Sequence, residues 1–141
     1  EDEFVSIQER YKRGVFALDT ALFLHDLTDR TPHKFHMAFP YGYNTSSPKA
    51  AGILCSCKKE PYYSLGIALV DTPAGNTVRA YNAEKTLCEI LKPISHTDIQ
   101  IITDAFKRYA GRKDKNIPLL SEYAHQLRVE KRLRPYLEVL L

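Results

Sequence analysis

His33, His36, Cys55 and Cys57 are the residues of this sequence best suited to hold a metal, because two imidazoles and two thiols are a zinc donor set. They meet only if the strands that carry them are neighbours. Alternation puts His36 on the face opposite Met37, and Cys-x-Cys is a weaker zinc signature than Cys-x2-Cys. The expectation is therefore no metal, with small packed cysteines and surface histidines. Cys88 lies beside an apolar helical stripe with no base near it in sequence, so it reads as packing and not as a nucleophile. Carboxylates do acid–base or Mg²⁺ chemistry only where they converge. Asp26 and Asp29 flank the end of a first helix beside His25 and Arg30. Asp98 and Asp104 share a later helix, where a helix N-terminus and an i,i+4 pair with Arg108 account for them. The six glycines are isolated, so none belongs to a phosphate-cradling loop, and no nucleophile elbow or His-Glu-x-x-His is present. We expect no catalytic residue, no metal and no cofactor.

Positive charge is the feature left over. Lys107, Arg108, Arg112, Lys113 and Lys115 form one basic cluster, and Arg128, Lys131, Arg132 and Arg134 form another. Such runs suit a solvated helix face, an acidic partner or an RNA backbone. The formal net charge of +3 is small for a phosphate-neutralising surface. Tyr109 and Tyr136, which interleave the clusters, fall on apolar stripes and make poor stacking platforms if buried. The run Asn44-Thr45-Ser46-Ser47 reads as a plain loop.

The elements that must position these groups follow from periodicity. With 141 residues, 44% hydrophobic and 26% charged, the chain suits one globular domain. No apolar run reaches the ~18 residues that cross a bilayer. The start, Glu1-Asp2-Glu3-Phe4, lacks the regions of a signal peptide, and three cysteines fit a reducing cytoplasm. Residues 1–13 read as a lead-in from an N-terminal part outside this sequence, since Met37 is the only methionine. Asp19 offers an N-cap for a buried helix, Thr20 to Leu27. Phe35, Met37 and Phe39 alternate as a half-buried strand ended by Pro40, and Tyr41 to Lys49 is loop composition. Strands follow at Ile53–Lys58, Gly66–Asp71 and Thr77–Asn82, the last two joined by a hairpin turn at Thr72–Asn76. The period then changes to 3.6. Asn82 caps a helix with Ala83, Leu87, Ile90 and Leu91 on one face. Thr97 and Gln100 form a capping box for a helix with the stripe Ile99, Ile102, Phe106 and Tyr109, which Gly111 ends. A third helix follows Asn116 and buries Leu119, Leu120, Tyr123 and Leu127. The last carries Val129, Leu133, Tyr136, Leu137 and Leu140, with Pro135 as a kink or the start of its final turns. The expected fold class is α+β, a small mostly antiparallel sheet packed against C-terminal helices.

Three stretches carry a resemblance: Gly14 to Pro32 (GVFALDTALFLHDLTDRTP), Val78 to Glu89 (VRAYNAEKTLCE) and Asp104 to Tyr109 (DAFKRY). Together with Pro40-Tyr41-Gly42-Tyr43-Asn44 and Tyr136 to Leu140, they resemble the AbiEi abortive-infection antitoxins, in order and over nearly the whole chain. The resemblance implies a single AbiEi-like antitoxin domain at residues 14–141. It implies a cytoplasmic bacterial phage-defence protein of a type IV toxin–antitoxin system, whose separate N-terminal winged helix-turn-helix represses its own operon. The implied partners are an AbiEii-type nucleotidyltransferase-like toxin, with direct contact left open, and operator DNA through that other module. The sequence departs from the family pattern at Asp26, where Gly is common, at Ala80 and at Pro135. No catalytic residues transfer from the resemblance. Charge and motif position instead nominate Arg79, Lys85, Lys107 and Arg108 for partner recognition, then Arg112, Lys113, Lys131 and Arg132. Two other readings stay open: an enzyme that modifies the toxin, such as an atypical phosphotransferase, and an RNA-binding module that protects the toxin's substrate.

Overall fold

Segments of period 2 and period 3.6 separate in space much as they do along the chain. The computed structural model describes residues 1–140, in the order α1 (Glu3–Arg10), β1 (Val15–Phe16), α2 (Leu18–Leu24), β2 (His36–Pro40), α3 (Ser46–Ala50), β3 (Leu54–Lys58), β4 (Ile67–Asp71) and β5 (Thr77–Tyr81). Then come α4 (Ala83–Ile90), a 3-10 turn at Pro93–Ser95, α5 (Ile99–Ala110), α6 (Ile117–Gln126) and α7 (Glu130–Leu140). The fold is α+β. One five-stranded sheet runs β3-β2-β1-β5-β4, and α4 to α7 build a second, helical core around Leu87, Phe106, Tyr109, Leu120 and Leu133.

The sheet is mixed, which corrects the expectation of a mostly antiparallel one. β1 with β2 and β4 with β5 are antiparallel, whereas β1 with β5 and β2 with β3 are parallel. The cause is β1, whose two residues show no alternation in the sequence yet occupy the centre of the sheet, fully buried. Helix α3, in the stretch that composition assigned to loop, makes the crossover that lets β3 run parallel to β2. As an inner strand β2 is buried on both sides, so Ala38 is as covered as Met37 and Phe39.

The opening segment, read from the sequence as a lead-in, holds helix α1. Phe4, Ile7 and Tyr11 recur at i, i+3 and i+7, and Phe4 stacks on Phe35 with ring centroids 4.5 Å apart. Gln8 ties the helix down: its Oε1 accepts from the Arg79 amide at 2.7 Å, and its Nε2 donates to Gly14 O at 2.9 Å.

Two other expectations move by a residue or more. α2 begins at Leu18, and Asp19 lies in its first turn, where its carboxylate accepts from the Thr20 amide without capping the helix. Asp98, not Thr97, caps α5, because its carboxylate accepts from the Gln100 amide at 2.7 Å. Ile99, expected on the buried stripe, is 64% exposed, and Ala105 takes its share of the contact. Pro135 lies inside α7.

Helices α2 and α6 end alike. The Leu27 amide donates to Leu22 O at 2.9 Å and the Asp26 amide to Phe23 O at 3.1 Å, with Asp26 left-handed at φ 57°. The Val129 amide donates to Ala124 O at 2.9 Å and the Arg128 amide to His125 O at 3.2 Å, with Arg128 at φ 59°. Both are the six-residue closure that glycine serves best. Asp26→Gly and Arg128→Gly are each expected to stabilise the chain by about 1 kcal/mol, read as a higher urea midpoint. An unchanged midpoint would show that neither residue is strained.

Candidate functional site

The eight residues nominated for recognition divide into two groups. Arg79 is half-buried on β5, where its guanidinium donates to Lys12 O at 2.7 Å and Tyr63 Oη at 3.3 Å. Arg108 Nε bonds Asp104 at 2.8 Å. Arg112 grips Asp114 with Nε and Nη2 at 2.9 and 2.8 Å, and its Nη1 donates to His25 O at 2.8 Å. Lys85 is completely buried and unavailable to any partner. Lys107, Lys113, Lys131 and Arg132 are exposed and have no ion-pair or side-chain hydrogen-bond partner among the described residues. The helices that carry Lys107, Lys131 and Arg132 pack together through Phe106 and Tyr136, stacked at 4.4 Å. Arg108 and Arg112 meet Leu24, His25 and Asp26 around a shallow cleft of about 350 Å³. Burial holds the His25 imidazole below its ordinary pKa, and its Nε2 bonds Tyr81 O at 2.8 Å.

Lys85 is buried because α4 is covered on every side. The turn between β3 and β4 closes over it. Its ammonium donates to Tyr62 O at 2.8 Å and Leu65 O at 3.0 Å, lies 3.8 Å from the centre of the Tyr81 ring, and pairs with Glu89 at 3.3 Å. Desolvation pulls its pKa down to about 8, with Glu89 opposing the shift. Gly66 ends the same turn at φ 83°, and a Cβ there would come within 2.7 Å of Lys85 Cβ. Glu84, also buried, accepts from Tyr109 Oη at 2.6 Å, and that oxygen accepts from the Asn116 amide at 2.6 Å, tying α4 to the junction of α5 and α6.

A second cleft, of about 410 Å³, opens between β3, the C-terminal end of α4 and the 3-10 turn, lined by Leu18, His36, Ser56, Lys58, Glu89 and Ile94 among others. The register builds it: His36 pairs with Leu54 and Pro40 with Lys58, so His36, Ser56 and Lys58 share one face of the two strands. Lys58 reaches Glu89 Oε1 at 3.3 Å, which gives that carboxylate two cations. Burial, helped by Lys58, pushes His36 down to about 4 and keeps it neutral. Leu18 borders the cleft with φ 51°, an uncommon conformation for a bulky side chain.

The same register separates the four residues that suited zinc. Cys55 pairs with Met37 and Cys57 with Phe39, on the face away from His36, and the described residues contain no cluster of metal-ligating groups. Cys88 is buried and its thiol is pushed up to about 12, which suits packing.

Sequence reasoning did not single out Lys58 or Glu89. Lys85 and Glu89 form an i,i+4 pair in an otherwise apolar helix, and that was the available signal. No family model and no curated protein matches this chain.

Proposed function

We propose that this chain is the antitoxin domain of a bacterial type IV toxin–antitoxin system, acting in the cytoplasm to neutralise an AbiEii-type nucleotidyltransferase-like toxin by binding and not by catalysis. The reading starts from the ordered resemblance to AbiEi antitoxins, which assigns operator binding to a separate module. The observation that carries it to a surface is the uncompensated charge of Lys107, Lys113, Lys131 and Arg132. Exposed cations without carboxylates of their own keep their field for an acidic partner. The resembling stretches themselves meet in the core, where α2 packs on α4 and Tyr109 bonds Glu84. They support a shared fold, and the free cations supply the recognition. Among the described residues no helix is long and apolar enough to cross a membrane.

Co-expression with the toxin tests the proposal. The chain is expected to restore growth, and the quadruple Lys107→Glu, Lys113→Glu, Lys131→Glu, Arg132→Glu variant to lose the rescue while keeping its circular dichroism spectrum. Full rescue by the folded variant would place recognition elsewhere. Transfer of labelled phosphate from ATP to the toxin would replace binding with enzymatic modification. A tRNA complex that weakens steeply with salt would favour protection of the toxin's substrate.

A further inference from the structure

The sheet ends at β3, and among the described residues no strand pairs with its far side. Two hydrogen bonds set the phase of its ladder: the Leu54 amide donates to Phe35 O and the Tyr41 amide to Lys58 O, both at 2.9 Å. With that phase Leu54, Ser56 and Lys58 turn their amides and carbonyls toward β2, and Cys55 and Cys57 turn theirs to the open edge. An edge that offers donors and acceptors in alternation is matched by another extended peptide. The 410 Å³ cleft runs beside this edge, lined by Cys55, Ser56, Cys57, Lys58 and Ile94 among others. On its side of the sheet Leu54 is exposed, and Ile94 is 82% exposed.

Charge narrows the partner further. The stretch from Arg30 to Lys59, which builds β2, α3 and β3, contains Arg30, Lys34, Lys49, Lys58 and Lys59 and no carboxylate. Lys58 is answered by Glu89 of α4. Lys49 and Lys59 are exposed and have no ion pair among the described residues. Both lie on the side of β3 away from the cleft. Lys49 is near the Cys55 thiol, where it opposes the upward shift that burial imposes. Lys59 takes the next position in the alternation of Cys55 and Cys57, with its ammonium 4.8 Å from the centre of the exposed Tyr41 ring.

We propose that β3 receives an extended segment of a partner protein as a sixth strand, and that this segment alternates apolar with acidic residues. Its backbone exchanges hydrogen bonds with Cys55 and Cys57. Its apolar side chains lie over Leu54 and Ile94, and its carboxylates, on the other face, meet Lys49 and Lys59. A nucleic acid would satisfy the cations and set its phosphates against the Cys55 and Cys57 carbonyls. A second copy paired through β3 would gather the lysines of two chains, and lysines at an edge oppose that contact while admitting an acidic strand. The opposite edge, β4, ends in Asp71 and carries no cation, so it does not select the same partner. The inference is independent of the toxin reading, since none of the residues it uses belongs to the basic group of Lys107, Lys113, Lys131 and Arg132.

NMR titration of the isotope-labelled chain, under reducing conditions, tests it with three probes: an octapeptide alternating valine and glutamate, its valine–lysine counterpart, and a single-stranded oligonucleotide. The glutamate peptide is expected to give saturable shifts and slowed amide exchange at Cys55 and Cys57, with the lysine peptide weaker by about tenfold or more. Cys57→Pro removes an edge amide that takes no part in the ladder with β2, so the variant is expected to fold and to bind the glutamate peptide about tenfold more weakly. Should it fail to fold, the double variant Lys49→Glu, Lys59→Glu changes only exposed side chains and is expected to lose a similar factor. Undiminished binding by a folded variant of either kind would overturn the proposal, as would equal binding of the two peptides. Shifts at this edge with the oligonucleotide and none with the peptides would make it a nucleic-acid contact instead. Shifts there that grow with protein concentration alone would make it a contact between copies. No shift up to about 1 mM of any probe would leave the lysines only the task of keeping edges apart, with the same consequence.

Discussion

Lys85→Glu is expected to abolish folding of the chain, read as loss of the cooperative urea transition. The ammonium it removes is held by Tyr62 O and Leu65 O, and it lies over the Tyr81 ring with no exposed surface. A carboxylate there would face two carbonyl oxygens and the negative face of an aromatic ring, one helical turn from buried Glu89. Breaking a buried pair by removing one partner costs about 3–5 kcal/mol, and reversing the charge adds repulsion. That total approaches the whole stability of a domain, about 5–15 kcal/mol. Lys85→Met keeps the length and packing and removes the same partner without reversing the charge, so it is expected to cost about 3–5 kcal/mol and, with Lys58 still paired to Glu89, leave a folded chain. A folded Lys85→Glu variant of near-normal stability would contradict this account of α4. The contrast bears on the proposed function: in the co-expression test, loss of rescue on reversing Lys85 is expected to report unfolding, whereas loss of rescue by a folded variant reversed at Lys107, Lys113, Lys131 and Arg132 would be read as loss of recognition.

What was legible in the sequence, and what was not, follows from the range of the interactions concerned. β2, β3, β4 and β5 and the helices after Asn82 all declare themselves locally, through alternation, caps at Asn82 and Asn116, and apolar stripes. β1 does not, since Val15 and Phe16 are too few to alternate and are a strand only because β2 and β5 lie on either side. α1 was hidden by its acidic residues, although Phe4, Ile7 and Tyr11 already marked one face. The candidate sites show the same limit. Basic residues can be counted in a sequence, but whether a carboxylate neutralises them depends on neighbours such as Asp104 and Asp114. Lys85 looks like any helical lysine until the turn at residues 59–66 closes over it. The cleft joins His36, Lys58 and Glu89, which are separated by tens of positions; the parallel pairing of β2 with β3 sets His36 and Lys58 on one face, and the ion pair with Lys58 brings in Glu89 from α4. Nothing in the local pattern specified that pairing.

Acidification from neutral pH to about pH 4.5 is expected to remove 2–3 kcal/mol of folding stability through His36, enough to shift a urea midpoint by a large fraction. The imidazole titrates near 6.5 in the unfolded chain and about 4 in the folded one, where burial and Lys58 oppose its charging. Above 6.5 both states hold it neutral and stability is at its full value. Between 6.5 and 4 the unfolded chain takes up a proton that the folded chain refuses, so stability falls with pH. Below 4 both states are protonated and the loss stops. His25, held below its ordinary value by burial, acts in the same direction. Asp19, which lines the neighbouring cleft with His36, acts in the opposite one, because burial raises its carboxyl. Asp114, held down at about 2 by its bond to Arg112, contributes only at lower pH. His36→Leu separates these effects. It removes the titrating group and an unpaired buried nitrogen together, so the variant is expected to be no less stable than the parent at neutral pH and to lose less on acidification. Equal losses in parent and variant between pH 7 and about 4.5 would show that His36 is free to charge in the folded chain, and that its nitrogen already has a partner at that cleft.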